Sequence, residues 1–94
     1  MNTFQLEIVT PDRADPVRDV AAIEVPAEGG RLTVLAGHQP LVCLLRPGIL
    51  RIRPPAGAPE EWRVAGGTLT VAPERVTVLT REASAASRPT SQGG

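Results

Sequence analysis

The residues able to do chemistry are few. His38 is the single histidine and Cys43 the single cysteine, so there is no His-His pair and no cluster of soft donors of the kind that holds zinc. A histidine acting as general base also needs a nucleophile and an orienting acid, and neither stands beside His38. The plain reading is a turn residue whose ring bonds backbone groups or a partner surface. Cys43 lies within five consecutive apolar residues, Leu41 to Leu45, where a thiol behaves as a small hydrophobe; a reactive thiol needs exposure and positive neighbours. Asp12, Asp15 and Asp19 give some carboxylate density, but the segment lacks the glycine and closing glutamate of a calcium loop, and loop solvation accounts for it. Arg46, Arg51 and Arg53 could meet phosphate. An alternating strand sends Arg51 and Arg53 to its wet face in any case, and the aromatic platforms on which nucleic-acid bases stack are almost absent. Trp62 is expected in core or sheet surface rather than a sugar site. No lysine and no glycine-rich phosphate loop occur, which removes Schiff-base chemistry and a nucleotide cradle together. The sequence therefore predicts no catalytic residue, no metal site and no cofactor, and points to a binding or structural module.

The elements that carry these residues are strands. Ten prolines and nine glycines leave few windows long enough for a helix. Phe4, Leu6 and Ile8 share one face of a first strand, ended by Thr10-Pro11-Asp12-Arg13. The alternation returns from Val17 to Pro26, and Ala27-Glu28-Gly29-Gly30 turns the chain as a hairpin, because paired glycines supply positive backbone angles. Arg31 to Leu35 follows. The central stretch opens at Gly37-His38, and its run Leu41 to Leu45 predicts a strand covered on both faces, a break at Pro47-Gly48, and then an alternating strand Ile49 to Arg53 with one wet face. Three prolines make Pro54 to Pro59 a loop, across which Arg51 or Arg53 faces Glu60 or Glu61. Gly66-Gly67 closes the next strand, Thr68 to Val71 forms another, and Val76 to Thr80 is the last. Strands at this beat predict an all-β fold, an antiparallel β-sandwich of about ten short strands. The domain is expected over residues 1–83. Residues 84–94 are expected as a flexible polar tail, with one helical turn at Ala83 to Ser87.

Ninety-four residues suit one domain with a modest core. Ten arginines balance ten acidic residues, so no net field draws nucleic acid or an anionic membrane. The first residues show neither a basic leader nor an apolar signal core, and no window reaches the ~20 apolar residues of a membrane span. The expectation is a soluble chain without direct membrane insertion.

The run from Glu28-Gly29-Gly30-Arg31 through Gly37-His38-Gln39-Pro40-Leu41 to Pro47-Gly48-Ile49-Leu50 resembles the epsilon subunit of F-type ATP synthase. Val9-Thr10-Pro11, Val64-Ala65-Gly66-Gly67 and Val76-Thr77-Val78-Leu79 resemble further motifs of that family in the same order. The resemblance implies a ten-stranded sandwich that is not itself an enzyme. It would be a central-stalk subunit that binds the gamma subunit and rests on the c-subunit ring, with the alpha/beta head nearby, on the cytoplasmic face of the bacterial inner membrane as a peripheral subunit. It also implies that Thr10, His38, Gln39 and Pro40 lie toward gamma and that Glu28, Gly29, Gly30 and Arg31 lie toward the c ring. Three departures stand out: Arg31 where the family usually has an acid, Thr33 for a glycine, and Ala36 for the proline before Gly37-His38, which loosens that turn. The family usually continues into a C-terminal helical hairpin, whereas the residues after Ala83 are a short stretch, small and polar, either a naturally short form or a shortened chain, so inhibition and nucleotide binding by a hairpin are not carried over. A free-standing β-sandwich adaptor that binds a protein or ligand is the competing expectation, since a fold does not fix a function.

Overall fold

The computed structural model describes residues 2–87. Every regular element in them is a strand: β1 (Phe4–Thr10), β2 (Arg13–Ala14), β3 (Arg18–Val20), β4 (Ala22–Ala27), β5 (Gly30–Leu35), β6 (Leu41–Arg53), β7 (Glu60–Val71), β8 (Arg75–Leu79) and β9 (Ala83–Ser87). Hydrogen bonding runs in the order β2-β1-β8-β7-β6-β4-β5, with β3 also on β1 and β9 also on β7. The path is open rather than closed into a barrel. Two layers arise because β6 and β7 are long enough to serve both. Leu41 to Leu45 pairs with Gly67 to Val71, and Gly48 to Ile52 pairs with Glu60 to Val64. The first half continues into β8 and β1, the second into β4, β5 and β9.

The all-β sandwich expected from the strand spacing is present, with nine strands among the described residues and one parallel pair, β1 with β8. The hairpin at Glu28-Gly29 is also present, Ala27 opposite Gly30. Four local expectations are corrected. Pro47-Gly48 is not a turn, because β6 runs through it in unbroken register with β7. On the other side the β4 ladder stops at Leu45 and resumes at Arg51, so the N–H that Pro47 lacks falls at an interrupted edge. Pro26 likewise sits inside β4 at that same interruption, and a Cβ on Gly48 would lie 3.3 Å from the Pro26 Cβ. Gly66-Gly67 does not end a strand either. Both have positive φ, +98° and +125°, which bends β7 where it passes from one layer to the other. The alternation from Val17 is two strands, β3 and β4, and the chain changes layer at Ala21, whose N–H bonds the Arg53 carbonyl at 2.8 Å. Ala83 to Ser87, expected as a helical turn, is β9 on the N-terminal half of β7. The rest of the expected tail, residues 88–94, lies outside the described residues.

The core fills the space between the layers. Leu6 and Ile8 of β1, Val76 and Val78 of β8 and Leu69 of β7 face Ile23, Val25, Leu50 and Ile52 of the other layer. Burying an aliphatic side chain of this size stabilises by about 1.5–3 kcal/mol. No helix among the described residues is long and apolar enough to cross a membrane.

Candidate partner-binding surfaces

The run Leu41 to Leu45 is not covered on both faces. Val42 is 71% exposed and Leu44 53%, while Leu45 is buried. Strand alternation places Val42 and Leu44 on the outer side of the first layer. Register then sets the neighbours: Leu44, Thr68, Leu79 and Val9 form one cross-strand row, and Val42, Thr70, Thr77 and Glu7 the next. Leu79 is itself 51% exposed. Glu7, at the border, is the one charge in these two rows, and it is met by Arg75 at 3.7 Å. An apolar depression of about 440 Å³ beside Leu79 is lined by Val9, Thr10, Pro11 and Thr68 among others. Three exposed aliphatic side chains on one face, with threonines and one paired acid among them, make this the candidate interaction surface.

The residues expected toward gamma bracket this face. Thr10 lies just beyond Val9, on β1, and its hydroxyl donates to the Arg13 carbonyl at 3.1 Å, fixing the turn at Pro11-Asp12. His38, Gln39 and Pro40 lie at the diagonal corner, ahead of Leu41, in the row of Val71, Val76 and Leu6. The His38 ring behaves as its turn position suggested. Nδ1–H donates to the Gln39 carbonyl at 2.8 Å, and the backbone N–H bonds Leu35 O at 3.1 Å. The structure thus puts Thr10 and His38 at two corners and not in one site. Between them lie Val42 and Leu44, which the apolar run placed in a strand covered on both faces, and Leu79 of the last strand, whose exposure the sequence did not address. The signal that could have exposed them is the partner strand, where Thr68 and Thr70 oppose the apolar run.

The residues expected toward the c ring form the β4–β5 turn. Glu28 is exposed, with its N–H on Leu44 O at 3.1 Å, so the turn adjoins the rim of the apolar face. Arg31 is not a free charge. It donates to the Ile49 carbonyl at 2.8 Å and meets Glu24 at 3.4 Å. Glu24 also meets Arg51 at 3.5 Å, and Arg51 meets Glu61 at 2.9 Å, which makes an alternating ladder across β5, β4, β6 and β7. The expected Arg51–Glu61 pairing is its last rung. Glu60 turns the other way, to Arg18. Cys43 is half-buried against the core, and desolvation pushes its thiol above the usual range, in keeping with a packing role.

The family described as "ATP synthase, Delta/Epsilon chain, beta-sandwich domain" matches residues 3–86. The chain belongs to the ATP synthase delta/epsilon family. It is 43% identical over 83 residues to the ATP synthase epsilon chain of Bacillus pumilus, covering 88% of this chain and 63% of that one. With the epsilon chain of Bordetella petrii the identity is 39% over 79 residues, 84% of this chain and 56% of the relative. The chain thus spans about three fifths of the length of the curated relatives it matches. Among solved structures it is similar to a chain of the Euglena gracilis mitochondrial ATP synthase in an assembly of OSCP, F1 and c-ring. The TM-score there is 0.85 and the identity 30%, over 90% of this chain and 54% of that one. A chain of the Tetrahymena thermophila central stalk and c-ring gives a TM-score of 0.76 over 85% of this chain and 64% of that chain, at 16% identity, a likeness of fold alone. In this member of the family, then, the sandwich layer of β1, β8, β7 and β6 exposes Val42, Leu44 and Leu79 among threonines, and the β4–β5 turn at its rim carries Glu28, which has no ion pair among the described residues.

Proposed function

We propose that this domain is the non-catalytic β-sandwich of a central-stalk epsilon subunit. It binds the gamma subunit through the outer face of the first layer and the c-subunit ring through the β4–β5 turn, with the alpha/beta head nearby. In this role it passes ion-driven rotation of the ring to the head that makes ATP, and works as a peripheral subunit at the cytoplasmic face of the bacterial inner membrane. The observation that carries the reading is the aliphatic face of Val42, Leu44 and Leu79, flanked by Thr10 and by His38-Gln39-Pro40. The epsilon-chain names of the relatives support the subunit assignment, and gamma as the partner follows from the resemblance to that subunit.

The two contacts rest on different physics. The gamma contact is a desolvation contact: threonines and aliphatic side chains give up water and no charge is buried, which favours tight docking under load. The ring contact is electrostatic and small. Among the described residues Glu28 is its free charge, because Arg31 is held by Glu24 and Ile49 O, so Glu28, Gly29 and Gly30 present an acid to the ring's loops and Arg31 stiffens the turn from behind. The test is binding of the purified domain to the matching gamma subunit. Wild type should bind, and Leu79→Glu should weaken binding by about tenfold or more, the equivalent of ~1.4 kcal/mol. Failure of the wild-type domain to bind gamma would overturn the reading.

A further inference from the structure

The geometry points to a further binding site, at the edge between the layers and not on either face, that takes one small, neutral, apolar molecule. A cavity of about 300 Å³ opens where the β2–β3 connection passes over the edge of the sandwich, lined by Leu6, Ile8, Asp15, Pro16, Arg18 and Trp62. Leu6 and Ile8, 1% and 5% exposed, make its floor, so the interior is sealed on the core side. An apolar cavity of ~150 Å³ stays dry and admits benzene. Twice that volume admits a substituted or fused ring, at the low end of the range for ligand pockets.

The rim decides the class of ligand. Arg18 spans the gap between the layers and grips Glu60 with both terminal guanidinium nitrogens, Nη1 to Oε1 at 3.1 Å and Nη2 to Oε2 at 2.7 Å. Glu60 Oε1 also accepts the Trp62 indole N–H at 3.2 Å. Asp15 is met by Arg13 at 3.2 Å, and its N–H bonds the Ile8 carbonyl at 2.9 Å. Each charged group at the mouth therefore already has its counter-charge. A charged ligand would have to break one of these pairs, whereas a neutral ring needs only the Pro16 and Trp62 faces, over the buried Leu6 and Ile8. Arg18, Glu60 and Trp62 also tie β3 to β7, which keeps the mouth at a fixed width.

Trp62 is the only tryptophan, so its emission reports this site alone. Bromobenzene, a neutral heavy-atom quencher, should remove most of the Trp62 emission in a saturating titration at one molecule per chain. 4-Bromobenzoate, the same ring with a carboxylate, should give only linear collisional quenching. Ile8→Phe, which fills the floor, should abolish the saturation. Should that variant fail to fold, methyl resonances of the unmodified chain decide: bromobenzene should shift those of Leu6 and Ile8. Linear quenching by bromobenzene would overturn the inference. So would shifts confined to Val9 and Leu79, which would place the probe on the outer face. Neither result bears on gamma binding.

Discussion

Thr80 is 3% exposed, and its hydroxyl serves two chain segments at once. It donates to the Glu82 carbonyl at 3.2 Å and accepts from the Ala65 N–H at 3.3 Å, pinning the β8–β9 connection against the middle of β7. Thr80→Val keeps the volume and loses both bonds, which should cost about 1–2 kcal/mol, read as a Tm lower by roughly 5–15 °C in a domain of this size. Glu60 supplies a pH dependence. Its hydrogen bonds from Arg18 outweigh its partial desolvation and hold its carboxyl below the usual glutamate range, with the Trp62 N–H adding to the effect. A folded-state value below the unfolded one means stability that is full above about pH 4.3, the ordinary glutamate value, and is lost as pH falls through the depressed one. Urea midpoints should therefore fall on acidification below that value, and Glu60→Gln should lose this part of the slope. At this scale the sequence was legible where partners are close in register. Arg51 opposite Glu61 follows from one hairpin around Pro54 to Pro59. The Arg18–Glu60 pair joins residues 42 apart, and the Arg31–Glu24 pair depends on a β4–β5 register that local pattern does not set, so neither was visible beforehand.

Among the elements, the corner in β6 and β7 is what turns one path of strands into two layers. Gly67 sits there with φ +125°, and a Cβ on it would run into the Leu79 carbonyl and crowd the Thr80 backbone. Gly67→Ala should cost about 3 kcal/mol or more, since backbone strain and overpacking add. Gly57 has a similar φ, +103°, with open space around it, and Gly57→Ala should cost only about 1 kcal/mol of strain. Urea denaturation of the two variants separates the terms, and equal costs would mean that the corner is not tightly packed. The same corner explains where sequence reasoning stopped. Proline and paired glycines read as strand ends because an isolated strand cannot use them. Here one edge of β6 remains paired through Pro47 and the other is interrupted, so the strand survives. The Val17 to Pro26 alternation was read as one strand for the converse reason, since crossing between layers at Ala21 requires no turn residue at all.

For the molecule as a whole, the proposed function predicts two docking surfaces that are mechanically joined and energetically independent. Each layer borrows half of β6 and half of β7, so a load taken on the outer face of β8 reaches the β4–β5 hairpin through covalent strands and their ladders and not through side-chain packing alone. That is stiffness without a hinge, and in the proposed role it would pass torque with no change of shape. The free energies of the two contacts should then add. Leu79 lies two strands from Leu44 along its row, about 10 Å at the usual strand spacing, and Glu28 lies on the far side of Leu44. Sites at such separation with no shared partner add to within ~0.5 kcal/mol. Leu79→Glu should weaken gamma binding and leave association with a detergent-solubilised c ring unchanged, and Glu28→Lys should do the reverse. In the reconstituted stalk, the loss for the double variant should equal the sum of the two single losses. A coupling clearly larger than that margin would mean that the sandwich deforms between its two contacts, and a domain that deforms there cannot act as a rigid coupling between ring and shaft.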